Sequence, residues 1–187
     1  YSELLHIIGL EESKQGSKKI ITRKSIGKRD SGSLLENCIT ELDNGDKLNS
    51  IRNIEHYGAT KEESLFNVAL ELVIIWINRI LFLKLLEGQL ISFNKDIDSY
   101  AFLNSKIIKG YDDLNNLFFG VWAKQQNERS ENNKKLFAKI PYLNSSLFDP
   151  QSEALEKSCF AISSLNYNRT LTIDTKTVLK DRAGKRL

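Results

Sequence analysis

The longest apolar pattern in the chain runs from Leu65 to Leu86, with the sequence LFNVALELVIIWINRILFLKLL. At about 100° per residue, apolar side chains cover most of the circumference of a helix built from this segment. Asn67, Glu71 and Asn78 fall within about 40° of one another and form a polar stripe. We therefore predict a central helix that other helices surround, with the stripe bonded to its neighbours.

This segment is nearly long enough to cross a bilayer, but charged residues interrupt it. A charged side chain at bilayer depth costs roughly 2.5–3.5 kcal/mol on insertion scales. The segment carries Glu71, Arg79 and Lys84. We therefore predict a helix buried in protein and no membrane partner, with Arg79 and Lys84 pairing at its rim.

A capping box predicts where the helix begins. Thr60 is followed by Glu63, so that each side chain can satisfy the backbone N–H of the other residue. Gly88 could end the helix, but apolar residues follow it, and we predict a helix over about 60–91.

Shorter elements flank this helix. Apolar spacing predicts helices over 1–12 (ending near Gly9), 34–42, 100–108 and 112–123. Residues 13–33 are rich in Lys, Arg, Ser and Gly and predict a flexible basic loop, with only 19–22 extended. Alternating β-branched residues predict a small extended element at 171–179. We therefore predict a mainly α fold, a helical bundle around the long helix at about 60–91, forming a single domain over 1–187.

The charge of the chain is nearly balanced, at a formal +3 over 187 residues. Such a weak net field does not by itself indicate a polyanionic partner, so any nucleic-acid contact is expected to be local. Two basic stretches, 14–29 and 180–186, can gain affinity by releasing counterions from phosphates. The predicted DNA-backbone contacts are Lys18, Lys19, Arg23, Lys24, Lys180, Arg182, Lys185 and Arg186.

Cysteine usage and the two chain ends bear on compartment and context. Cys38 and Cys159 form no CxxC pair, which is typical of reduced thiols in a cytoplasmic protein. The chain opens on Tyr1 without a secretion signal. We expect a fragment of a longer polypeptide.

Catalytic motifs are scarce. Neither GxxxxGK[ST] nor GxGxxG occurs. Asp43, Asp46 and Lys47 follow a helix stop and are typical of a solvated turn rather than a metal site. His56 could meet a phosphate at the helix start, and a buried Glu71 could act as an acid or base. We predict structural roles for both, with a small enzyme built around them as an alternative.

The segments at 57–71 and 76–91, YGATKEESLFNVALE and WINRILFLKLLEGQLI, resemble part of bacterial single-chain, type IIG-like restriction-modification proteins. Those polypeptides join a nuclease to an adenine-specific DNA methyltransferase. Three further segments that resemble them follow in the same order: YAFLN at 100–104, GYDDLNNLFF at 110–119 and IPYLNSSLF at 140–148.

The resemblance implies a helical connector between the nuclease and the methyltransferase. It implies DNA as a partner through the parent protein, which would use S-adenosylmethionine and magnesium. The catalytic motifs of the family do not carry over, since no Asn/Asp-Pro-Pro-Tyr/Phe or PD…(D/E)xK motif occurs and Asp149-Pro150 has the reversed order. We predict no catalytic, cofactor-binding or metal-binding residue in this chain. A freestanding helical nucleic-acid-binding module is the alternative, and the choice between a type IIG and a type I-like parent stays open.

Overall fold

The computed structural model describes residues 1–148, apart from the side chains of Asp98, Tyr111 and Ser146. The mainly α fold predicted from the sequence is confirmed. The helices and strands are α1 Ser2–Ile8, β1 Leu10–Gln15, β2 Lys18–Arg23, α2 Leu34–Asn44, α3 Lys61–Asn94, α4 Ile97–Tyr100, α5 Tyr111–Asn116 and α6 Glu131–Leu136. The extended element predicted at 171–179 lies outside the described residues.

Helix α3 organises the fold. It begins at the predicted capping box, in which the Thr60 side chain accepts from the Glu63 backbone N–H and the Glu63 side chain accepts in return. It runs for 34 residues, about 50 Å at 1.5 Å per residue, and continues through Gly88 to Asn94. Lys95 then ends it in the left-handed conformation, with φ 54°. The helix is therefore slightly longer than the predicted 60–91.

Two hydrophobic clusters pack against the two halves of α3. In the first cluster, Leu35, Cys38 and Leu42 of α2 meet the buried positions of α3 from Leu65 to Val73. The second cluster gathers around Leu83 of α3, and its other buried members are Phe102, Leu114, Leu117, Phe118, Val121, Trp122, Phe137, Ile140 and Phe148. Trp76 packs against both clusters, so the two are continuous along one helix.

One face of α3 is exposed, where the sequence predicted apolar contacts nearly all round. We call it the open face, formed by Asn67, Glu71, Ile74, Asn78, Leu81 and Leu85. Both clusters lie on the opposite side of the helix, so Glu71 and Asn78 of the predicted polar stripe reach solvent. Asn67 does bond a neighbouring segment, since its side-chain amide donates to the Tyr57 carbonyl at 2.5 Å. Within residues 1–148, no helix combines the length and the apolarity needed to cross a membrane.

A β-hairpin and a 3-10 turn occupy most of the segment predicted to be a flexible basic loop. Strands β1 and β2 pair antiparallel from Leu10 opposite Arg23 to Gln15 opposite Lys18. Gly16, with φ 62°, closes the turn between them in a conformation that favours glycine. The prediction of a flexible loop over 13–33 is therefore wrong for the hairpin. The two strands pair there although the segment has few apolar residues that would indicate strands.

The segment after α3 departs from prediction in one place. The helix predicted over 100–108 is absent, because Asn104 accepts the backbone N–H groups of Lys106 and Ile107 on its side chain, at 2.9 and 3.2 Å. Such local bonds offer the backbone an alternative to the helix. The helix predicted over 112–123 is confirmed as α5 followed by a π-helical turn, Leu117–Trp122.

Candidate functional site

Four of the predicted DNA contacts lie on or beside β2. Lys18 is exposed near the turn, while the Lys19 ammonium pairs with Glu12 at 2.8 Å. The Lys24 ammonium lies 2.6 Å from Nδ1 of His6. The other four, Lys180, Arg182, Lys185 and Arg186, lie outside the described residues. The structure therefore brings one half of the predicted set together on the hairpin.

Arg23 differs from its lysine neighbours because its guanidinium is engaged inside the fold. Its Nε and Nη2 each donate to the Glu36 carboxylate at 2.7 Å, and both side chains are more than four-fifths buried. The guanidinium also lies 5.9 Å from the centre of the Phe66 ring. The hydrogen bonds to Glu36 raise the pKa of Arg23 above its ordinary value. Arg23 thus ties the hairpin to α2 and α3.

The accessible cations of the hairpin are Lys14, Lys18 and Lys19, which we call the basic tip. They flank the turn at Gly16, and Lys14 lies directly opposite Lys19 in the strand register. Residues opposite each other in an antiparallel pair project from the same face of a sheet. The tip therefore carries Lys14 and Lys19 on one face and Lys18 on the other, and the Lys19 ammonium is paired with Glu12.

A cavity of about 530 Å³ lies between β2 and the start of α3. Its lining includes Ile21, Arg23, Arg29, Glu62 and Phe66. Arg23 approaches Glu62 at 3.8 Å, so positive and negative groups face each other across the space. Within residues 1–148, no three His, Cys, Asp or Glu side chains are grouped as a metal ion would require.

The rival enzyme site was expected to combine His56 with a buried Glu71. His56 is exposed on a 3-10 turn, Ile54–Tyr57, and Glu71 is exposed on the open face of α3. Tyr57 of the same turn packs against the first cluster, as predicted. A desolvated carboxyl is therefore not present at Glu71.

Arg79 is buried, although the sequence placed it at the rim of the helix. Only 1% of the residue is exposed, and its Nε donates to the Leu147 carbonyl at 2.6 Å. The guanidinium lies 5.1 Å from the Phe119 ring centre and 6.0 Å from that of Phe118. Arg79 therefore fastens the end of the described chain to α3. Lys84 pairs with Glu87, a buried carboxylate that also accepts the Leu103 backbone N–H.

Arg129 is a structural residue that sequence reasoning missed. Its guanidinium donates only to backbone carbonyls among the bonds described, those of Val121, Lys124, Phe137, Ile140 and Pro141, at 2.8–3.2 Å. Burial lowers the pKa of Arg129 from its ordinary value. The polar run QQNERSENNKK around it gave no signal of this role.

A second missed feature joins α5 to α6. The side-chain amides of Asn116 and Asn133 donate to each other at 2.9 Å in both directions. The Asn133 amide also reaches the Gly120 carbonyl at 3.2 Å, and a Cβ on Gly120 would overlap Asn116. Glycine is therefore required where these three residues meet.

Neither the curated proteins nor the solved structures contain a match to the chain. A family model described as a domain of unknown function, DUF7814, matches residues 1–187. The chain therefore belongs to the DUF7814 family.

Proposed function

We propose that this domain is a non-catalytic helical connector that orients the nuclease and methyltransferase parts of a restriction-modification protein. The observation that carries the proposal is the continuity of α3 through two hydrophobic clusters, with Trp76 packed against both. The resembling segments at 57–148 take in α3 and the second cluster. The sequence resemblance and the packing of α3 against both clusters therefore support the same connector role.

Rigidity is the physical requirement for such a connector. An isolated helix of about 50 Å would fray and bend, since most helical stability in proteins comes from tertiary packing. Here one side of α3 is buried along its length, with Leu65, Leu72 and Leu83 each fixed in one cluster or the other. Packing along its length makes α3 a stiff rod that can fix the orientation of parts at its two ends.

The partners follow from this proposal. The parent protein acts on DNA in the cytoplasm and uses S-adenosylmethionine and magnesium in its flanking domains. The connector supplies no reacting group and contacts the DNA backbone through the basic tip. It contributes to activity by setting the distance and the angle between the two catalytic domains.

The reading frame that encodes this chain tests the proposal. We expect a glycine-containing cofactor loop and an Asn-Pro-Pro-Tyr-type motif downstream of Leu187. A stop codon soon after Leu187 would contradict the connector. The purified chain should show no heat of binding with S-adenosylmethionine and no plasmid nicking with magnesium. Saturable micromolar cofactor binding would identify an active domain instead.

A second candidate function is a freestanding nucleic-acid-binding module, which the three lysines of the basic tip favour. The test is duplex DNA binding at several salt concentrations by the wild type and by a Lys14→Glu, Lys18→Glu variant. We expect at least tenfold weaker binding and a shallower salt dependence in the variant, because released counterions supply the affinity.

Two lysines away from the tip provide the matched control. A Lys106→Glu, Lys109→Glu variant changes the net charge equally at exposed positions. Its affinity should stay near that of the wild type. Equal weakening in both variants would show a general charge effect, and no binding by the wild type would exclude the module. Arg23 is left unchanged because its ion pair with Glu36 stabilises the fold.

A further inference from the structure

The exposed positions of α3 repeat at alternating intervals of four and three residues. The repeat includes the open face and continues beyond it at the same spacing. All eight members are exposed: Asn67, Glu71, Ile74, Asn78, Leu81, Leu85, Gly88 and Ser92. This spacing is that of the contact positions in a coiled coil, where one helix packs along another. We call these eight residues the seam.

The middle of the seam is apolar. Ile74, Leu81 and Leu85 are 47%, 56% and 65% exposed, and the neighbouring Phe82 is 37% exposed. The opposite side of the helix packs against the two hydrophobic clusters, so the fold of the described residues uses one side of α3 and leaves the other accessible. A contiguous exposed patch of large apolar side chains is typical of a surface that binds a protein partner.

We propose that the seam pairs with the seam of a second copy of this chain, with the two α3 helices antiparallel and related by a twofold axis. The inference does not depend on the proposed connector function.

Charge supports the antiparallel direction. Glu71 is an exposed member of the seam. In a parallel pair it would lie opposite its own copy, where two like charges repel each other. In an antiparallel pair it lies against the other half of the second helix, which carries Lys84 with 61% of its side chain exposed. Opposite charges therefore meet only in the antiparallel arrangement.

The seam is also complementary to itself in shape. Ile74 and Leu85 lie equally far from a point between Asn78 and Leu81, so a twofold axis at that point sets Ile74 of each copy opposite Leu85 of the other. A pair of this kind uses the same patch on both molecules, as twofold dimers do. The two Asn78 residues then lie close to the axis, and a polar Asn among apolar seam residues specifies register and helix number.

The same register accommodates Glu71. It sets Glu71 opposite Gly88 of the second copy, and nothing lies within 4 Å of the position that a Cβ on Gly88 would occupy. The absent side chain leaves room for the carboxylate beside the second helix. Lys84 of that copy lies about one helical turn from Gly88, on the same side of α3.

Sedimentation equilibrium of the full chain tests the dimer. We would compare the wild type with a Leu81→Gln, Leu85→Gln variant, since glutamine keeps a high helix propensity. The matched control is Leu4→Gln, Leu136→Gln, which makes the same change at leucines that are 43% and 55% exposed outside α3. Circular dichroism checks that each variant keeps its helices.

We expect the wild type to dimerise, the seam variant to have a dissociation constant at least tenfold higher, and the control to match the wild type. A wild type that stays monomeric up to millimolar concentration would overturn the proposal, and it would be the result if another segment of the same molecule covered the seam. Equal weakening in both variants would also overturn it.

Cross-linking tests the direction, and it decides the proposal if the glutamine variant loses its helices. In a chain with Cys38→Ala and Cys159→Ala, we would introduce Ile74→Cys and Leu85→Cys separately and oxidise with oxidised glutathione. A disulfide requires Cα atoms within about 7 Å, and in the proposed register the two copies of residue 85 lie about 16 Å apart along the helix axis.

The mixture of the two cysteine proteins should therefore form disulfides between molecules at least tenfold faster than the Leu85→Cys protein alone. Faster cross-linking of Leu85→Cys alone would indicate parallel helices and would overturn the proposal. Equally slow cross-linking in both samples would overturn it as well.

Discussion

Arg23 and Glu36 form a two-point ion pair, with guanidinium-to-carboxylate hydrogen bonds of 2.7 Å, and the pair joins the hairpin to α2. A bidentate arrangement fixes orientation as well as distance. Strand β2 reaches α2 through a basic residue that the sequence placed in a loop. The ion pair therefore explains how a polar hairpin keeps a defined position on a helical fold.

Loss of this ion pair should cost stability. Arg23→Gln leaves the mostly buried Glu36 carboxylate without its partner, and we expect the free energy of unfolding to fall by roughly 2–3 kcal/mol. Lys19→Gln is the control, because its pair with Glu12 is largely exposed and solvent screening leaves such a pair with little effect on stability. Urea unfolding of the two variants checks the difference. Equal losses would contradict the structural role of Arg23.

Gly120 should not tolerate a side chain. A Cβ there would overlap the Asn116 amide oxygen and crowd the Asn133 amide nitrogen. Gly120→Ala should therefore lower the free energy of unfolding by roughly 1–3 kcal/mol. Gly88→Ala has nothing within 4 Å of the new Cβ and should raise it by roughly 0.5–1 kcal/mol through helix propensity. Thermal unfolding that ranked the two variants the other way would contradict the packing around Gly120.

Arg129 should be irreplaceable by lysine. The guanidinium reaches carbonyls on several sides, whereas an ammonium has three donors at one point. Arg129→Lys should lower the free energy of unfolding by at least about 3 kcal/mol, since several buried carbonyls lose their donor. Arg52→Lys, at an exposed position, should match the wild type in the same denaturation experiment. Full stability of Arg129→Lys would show that charge alone suffices.

Asp96 should make stability depend on pH in the acid range. The Ser99 side chain, Lys139 and the Ser99 backbone N–H lower the pKa of Asp96 from 3.8 to about 2. Because this pKa is lower in the folded state, the stabilisation is present above pH 3.8 and is lost as the pH falls towards 2. Between about pH 5 and pH 2, the wild type should lose more stability than Asp96→Asn.

The control for this pH dependence is Glu55→Gln, a change at an exposed carboxylate. Across the same pH range, the free energy of unfolding of this variant should change with pH as steeply as that of the wild type. If the free energy of unfolding of Asp96→Asn changed with pH as steeply as that of the wild type, Asp96 would not contribute to the pH dependence of stability.

The helical elements were largely predictable because their signals are local. The Thr60–Glu63 capping box and the apolar spacing of α2 each lie within a few residues, so the start of α3 and the position of α2 were found. The end of α3 was harder to predict, since Gly88 weakens a helix without always ending it.

The polar core could not be read from the sequence because its partners are distant backbone groups. Arg79 bonds to a carbonyl 68 positions away, and no pattern of residue types marks a carbonyl as an acceptor. Arg129 lies in a strongly polar run that resembles a solvated surface. The exposure of the open face was missed for a related reason, since apolar composition indicates that a surface can be buried and not which segment buries it.

The hairpin also bears on how this protein avoids aggregation. In the described part of the chain, β1 and β2 form a sheet of two strands, so each strand has an outer edge. Exposed strand edges can template pairing with other chains, and lysines placed there oppose it by charge repulsion. Lys14, Lys18 and Lys19 lie on these edge strands. The lysines of the hairpin would therefore oppose strand pairing between molecules even if the hairpin binds no nucleic acid.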